Sequence, residues 1–148
     1  MAGNISFSMI KPNAVKVGHV GHIMAHISDA GFRIEALQMT KLSISQAKAF
    51  YGIHENRPFF NDLIEFMYSG PVVAMILEKD NAVEEYRKLI GATDPAKAAE
   101  GTIRKLYGVN VQMNAVHGSD SDENAMIEGN FFFSMRERYS PRGIELLY

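Results

Sequence analysis

The chain has 148 residues, enough for one domain with a hydrophobic core of its own. Its apolar share of 47% and charged share of 22% are ordinary for a soluble globular protein, and a net charge of −2 lacks the basic balance of a dedicated nucleic-acid binder. It contains no cysteine, which excludes disulfide frameworks, thiolate metal sites and cysteine nucleophiles.

The opening segment MAGNISFSMIKPNAV has no basic leader joined to an apolar core, so no secretory signal is expected. The longest apolar run, Val72 to Leu77, is too short to cross a bilayer. These features predict a cytoplasmic protein with no membrane association. No linker, low-complexity stretch or internal repeat interrupts residues 1–148, so a single domain is expected.

Ile5, Phe7 and Met9 alternate and predict a strand with one buried face, ended by Lys11 and Pro12. Val20 to Ala30 reads as a helix stopped by Gly31, and Arg33 to Leu42 as a second strand. Ser43 and Gln46 have capping-box spacing ahead of a helix carrying Ala47, Phe50, Tyr51 and His54. Pro58 interrupts, and Phe60, Leu63, Ile64 and Met67 mark another helix. After the turn at Ser69-Gly70-Pro71, Val72 to Leu77 suits a strand covered on both faces. Asp80 or Asn81 can cap a helix bearing Val83, Tyr86 and Ile90.

Gly91 to Asn114 shows little periodicity, and an irregular stretch of this length in a compact domain is commonly functional or partly disordered. Asn114 to His117 predicts a short strand, and Ser119 to Glu123 the start of a last helix. Some links are too short for parallel crossovers. The expectation is therefore α/β of the α+β kind, a mostly antiparallel sheet covered by helices.

His22 and His26 are four apart on a predicted helix, a spacing that can chelate a metal. No glutamate follows His22 as a metalloprotease requires, and a solvated helix face accounts for the pair more simply. His117 sits in NAVHGSDS, where a short strand would deliver it and Gly118 would admit a close neighbour. Ser119, Asp120 and Ser121 open a helix whose amides attract anions. Local context leaves two accounts of His117 open: a reacting group, or a histidine fixed in a turn beside a helix cap. A Ser-His-Asp hydrolase is disfavoured, because the G-x-S-x-G elbow is missing.

Lys11, Arg57, Arg87 and Arg104 stand at the borders of predicted elements, where each is either a solvated charge or a phosphate ligand. There is no Walker A motif and no protein-kinase glycine loop. Phe59, in the break after Arg57-Pro58, either stacks on a base or packs in the core. Tyr51 suits core packing with its hydroxyl at a rim.

The run NAVHGSDS resembles the active-site signature of nucleoside diphosphate kinases. MIKPNAV, FYGIHENRPFF, FMYSGPVVAMILE, LIGATDPAKAAEGTIR and Glu128 with its Phe-rich tail resemble further family blocks in the same order, over about residues 5 to 133. The resemblance implies a ferredoxin-like four-stranded antiparallel sheet covered by helices. It implies transfer of the γ-phosphate of one nucleotide to another through a phosphohistidine, with Mg2+ bound to the nucleotide. It makes His117 the nucleophile, Glu128 the carboxylate that orients its ring and Ser119 a supporting hydroxyl. Lys11, Arg87, Arg104 and Thr93 take the positions that hold the phosphates, and Tyr51 lies near histidine and phosphate. Asn114 meets the sugar, the base stacks on Phe59 with Val111 opposite, and Asp120 reaches the metal through water.

An ordinary imidazole is largely neutral near pH 7 and can attack phosphorus in line. If Nδ1 attacks, Nε2–H is free to donate to Glu128. The implied partners are nucleoside di- and triphosphates such as ATP and GTP, and further copies of the chain in a hexamer or tetramer. Gly129 departs from the apolar residue common in the family, which implies a looser hold on Glu128. The residues from about 135, with Arg136, Arg138 and Arg142, form a family-variable tail. A phosphohistidine carrier without nucleotide turnover would not need Lys11, Arg104 and Asn114. A nucleic-acid module would need a basic face or a stacking strand that the chain lacks.

Overall fold

The computed structural model describes residues 3–139; of the expected tail from about 135, Arg136 and Arg138 lie within them, and Arg142 with the other residues after Tyr139 lies outside. Four strands form one sheet in the order β2-β3-β1-β4: β1 (Ile5–Ile10), β2 (Arg33–Thr40), β3 (Val72–Glu78) and β4 (Val116–Gly118). All three pairings are antiparallel, which is the expected ferredoxin-like order. The helices are α1 (Pro12–Lys16), α2 (Val20–Asp29), α3 (Ile44–Phe50), α4 (Phe60–Tyr68), α5 (Ala82–Ile90), α6 (Ile103–Tyr107) and α7 (Asp122–Phe132).

Side chains alternate across a strand, and β3 uses this to feed two cores. Val72, Ala74 and Ile76 join Phe7, Met9, Leu63, Ile64 and Met67 on one face. Val73, Met75 and Leu77 join Ile23, Ile27, Tyr86 and Ile90 on the other. β1 departs from the expected single buried face: Ser6 and Ser8 are as buried as Phe7 and Met9. Ser8 satisfies its hydroxyl with the Tyr86 hydroxyl at 2.5 Å, so a polar residue survives at a covered position.

The Ser43–Gln46 capping box forms as expected. Gly31, with φ of +90°, follows the end of α2 in the left-handed conformation that stops helices. Asn81 precedes α5 in a left-handed conformation, but its side chain makes no cap and donates to Glu84 instead. Two helices were not expected. Pro12 ends β1 as read and also starts α1, because proline at a first helical position forfeits no helix hydrogen bond. Gly91 to Asn114 is ordered by local bonds rather than by periodicity. Thr102 caps α6 by accepting from the Lys105 amide, and Asp94 accepts from the Ala96 amide. β4 begins two residues later than the Asn114 start read from sequence.

Candidate active site

β4 is an edge strand, and its pairing with β1 sets His117 beside Met9. The approach to it is a γ-turn. Ala115 has φ of +74°, and the Val116 amide donates to the Asn114 carbonyl at 2.9 Å. The Lys11 amide pins the turn from β1's end by donating to the Ala115 carbonyl at 2.8 Å. Gly118 answers to close packing: a Cβ there would lie 2.9 Å from Ile90 Cδ1 and 3.0 Å from Tyr86 Cδ2.

His117 Nε2 lies 2.9 Å from Glu128 Oε1, and the Ser119 hydroxyl donates to the same oxygen at 2.7 Å. Ser119 is anchored in turn, since its Oγ accepts from the Phe7 amide at 3.1 Å. This chain assigns the ring proton to Nε2, where a carboxylate accepts it, and leaves the Nδ1 electron pair free. Gly129, next to Glu128, is buried, and a Cβ there would sit 3.3 Å from Ile76 Cδ1, so the glycine lets α7 lie close on the sheet.

The cations gather despite their sequence separation. Lys11 is buried where β1 meets α1, with Nζ 3.5 Å from the Gln112 carbonyl. Burial, and then the nearby Arg104 charge, lowers its pKa to about 7. Arg104 donates to the Gly91 carbonyl at 3.1 Å and to the Val116 carbonyl at 3.0 Å. Burial and the Arg87 charge push its guanidinium down, while the nearby Tyr86 pushes it up. Gly91 is required there: its φ is +86°, and a Cβ would come within 2.6 Å of Thr102 Oγ1. Arg87 is exposed on α5, and its charge also acts on Asp120. The Asp120 carboxyl is held below its ordinary range, chiefly by the Asn124 side chain, which donates to it at 2.6 Å.

Three buried polar atoms at this site have no partner among the described residues: Tyr51 Oη, Asn114 Oδ1 and Arg104 Nε. Unpaired buried polar atoms are costly. Asn114 is fixed by its other end, donating to the Thr93 carbonyl at 3.0 Å. The Tyr51 ring stands 6.3 Å from that of His117. Burial and then the Glu128 charge raise its pKa, so its hydroxyl stays protonated. Phe59 and Val111 are exposed and outside this hydrogen-bonded cluster; the ring nearest Phe59 is His54, at 5.7 Å. Sequence reading missed Phe7 and Phe50, whose rings flank His117 at 6.0 and 5.4 Å. No local spacing in the sequence marks either ring as a neighbour of His117.

His22 and His26 both face Tyr107, and His26 Nε2 is 3.2 Å from its hydroxyl. Among the described residues no group of three or more histidine, aspartate or glutamate side chains could hold a metal ion. None of the helices there is long and apolar enough to cross a membrane.

A ferredoxin-like sheet that offers a carboxylate-braced histidine to converging cations has the layout of a phosphotransferase, and the comparisons agree. The chain belongs to the nucleoside diphosphate kinase family, whose model matches residues 4–138. It is 57% identical over 139 residues to the nucleoside diphosphate kinase of Flavobacterium psychrophilum, covering 94% of this chain and all of that one. It is 53% identical over 132 residues to that of Chlamydia caviae, covering 89% of this chain and 94% of the relative. Among solved structures, the Aquifex aeolicus nucleoside diphosphate kinase superposes with a TM-score of 0.90 at 41% identity, covering 93% of this chain and 99% of that one. The Halobacterium salinarum enzyme in complex with CDP gives 0.89 at 35% identity, covering 93% and 92%.

Proposed function

We propose that this enzyme moves the γ-phosphate of a nucleoside triphosphate to a nucleoside diphosphate in two half-reactions through a phosphohistidine on His117. The observation that carries the reading is the polarised chain Phe7 amide, Ser119, Glu128, His117, which braces Nε2 and leaves Nδ1 to react. In the first half-reaction the Nδ1 electron pair forms the bond to phosphorus, and the bond to the diphosphate leaving oxygen breaks. Glu128 steadies the cationic ring that results. The second half-reaction reverses these steps with a different diphosphate, so kinetics are ping-pong.

Lys11, Arg104 and Arg87 neutralise the phosphates, with Thr93 beside them, and Tyr51 donates its hydroxyl toward the transferred group. Asn114 Oδ1 takes a sugar hydroxyl. Phe59 and Val111 hold the base by its faces, which every base offers, so selection among bases is weak. The chain's own side chains build no resident metal cage among the described residues. Mg2+ would arrive on the nucleotide phosphates and supply charge neutralisation there, and Asp120 would be the side chain that meets it through water. The nucleotide in the solved Halobacterium salinarum neighbour is CDP.

We read the chain as one catalytic domain with a variable tail from about 135, working in the cytoplasm as a hexamer or tetramer. The apolar Leu37 and Met39, exposed on the edge strand β2, supply surface that such an assembly would cover. The test is exchange between ATP and GDP by His117→Ala. The variant is expected to fold normally and to lose exchange by at least about a thousandfold, as removal of a covalent nucleophile does. Substantial exchange by the folded variant would contradict the assignment.

A further inference from the structure

Among the described residues the His117 ring makes one hydrogen bond, at Nε2, and one bond does not fix the plane of a ring. The plane decides where the Nδ1 electron pair points. Something else must set it, and three aromatic rings stand beside the imidazole. Phe50 meets His117 at 5.4 Å with the planes 76° apart, Phe7 at 6.0 Å and 55°, and Tyr51 at 6.3 Å and 90°. Edge-to-face contacts of this kind are attractive and directional.

Phe50 is the hub of this group. Its ring lies 5.7 Å from Phe7, 4.9 Å from Tyr51, 5.4 Å from Phe131 and 5.6 Å from Phe132. It therefore ties the end of α3 to β1 and to the last turn of α7, the helix that carries Glu128. It is half-buried and has no polar atom with which to bind a nucleotide. Its place follows from the local fold: α3 ends at Phe50, and Tyr51 takes the C-cap, so two consecutive aromatics turn toward the site.

We propose that Phe50 is a positioning residue for His117, fixing the imidazole plane and keeping water from the phosphorylated ring. The inference rests on the phosphohistidine reading above. A ring set in one plane presents Nδ1 in line with the incoming phosphorus, and small misalignments of reacting groups are expensive in rate. The competing reaction is hydrolysis. A water oxygen bonds to phosphorus, the P–N electron pair returns to Nδ1, and both water protons leave with inorganic phosphate. An aromatic wall beside the ring excludes that water without offering it a hydrogen bond.

The experiment phosphorylates wild type, Phe50→Leu, Phe50→Met and Phe50→Tyr with labelled ATP and Mg2+, removes the nucleotide, and divides each sample. One half receives GDP and the other only buffer. The readout is the ratio of transfer to GDP over loss to water, per phosphorylated molecule, which a smaller folded fraction does not change. Leu and Met are expected to lower this ratio about tenfold or more while the KM for GDP stays within about twofold. Tyr, which keeps the ring, is expected to hold the wild-type ratio. A wild-type ratio in phosphorylated Leu and Met variants overturns the inference alone. Wild type that takes up no phosphate overturns the kinase reading, and this inference with it.

Discussion

At the scale of residues, the site works by holding groups in states that water would not favour. Glu128 Oε1 accepts from both His117 and Ser119, so its charge is spent on two short contacts. A hydrogen bond to a charged group contributes about 1.5–3 kcal/mol. Glu128→Gln keeps the shape and removes the charge, so the phosphorylation rate of His117 is expected to fall about tenfold to a hundredfold. Stopped-flow fluorescence or rapid-quench labelling would measure it, and an unchanged rate would show that the carboxylate charge is idle. Lys11 tells a related story. Its pKa is lowered to about 7 by burial and by Arg104. Between that value and its ordinary one near 10.5, the unfolded chain binds a proton that the folded chain does not. Stability therefore rises with pH over this window, and the penalty of a buried charge is fully present below it. Relative to Lys11→Met, wild type is expected to gain melting temperature from pH 7 to 9. A flat difference would mean that Lys11 keeps its ordinary pKa. The histidine signature was legible in the sequence because its neighbours are contiguous. Phe7 and Phe50 were not, because a ring beside a histidine leaves no local spacing to read.

At the scale of elements, the site depends on short pieces that sequence periodicity cannot register. β4 has three residues, and α1 and α6 five each, too few to show a repeat. Their signals are punctual instead: Pro12 at a helix start, Thr102 as a cap, Gly91 in a conformation with no room for a side chain. The longer elements, such as β3 with its alternating cores, were legible because burial on two faces forces a continuous apolar run. The γ-turn at Ala115 stores strain, because a non-glycine residue at positive φ clashes with its own backbone. It places Asn114, Val116 and His117 on successive sides of one tight bend. Ala115→Val adds a branched Cβ where none is tolerated, and it is expected to lower unfolding stability by about 1–3 kcal/mol. Urea denaturation would measure this, and a stability equal to wild type would show that the turn relaxes freely.

At the scale of the whole molecule, the antiparallel order β2-β3-β1-β4 brings residues from both ends of the chain to one place. Lys11 follows β1, Arg104 sits on α6, and Glu128 on α7, yet they surround one edge strand. Scattered cations with no phosphate-binding motif looked like solvated charges one at a time; only the topology makes them neighbours. The family-level likeness in sequence assigns these residues to one phosphate site as an expectation, whereas composition and periodicity reach no further than an antiparallel sheet under helices.

The central claim is that phosphate resides on His117 between donor and acceptor. The direct test is intact-protein mass after wild type is mixed with ATP and Mg2+, followed by a chase with GDP. The account predicts one added phosphate, labile in acid, absent from His117→Ala, and removed by GDP as GTP appears. A phosphate that GDP cannot remove, or none at all on the folded protein, would contradict it.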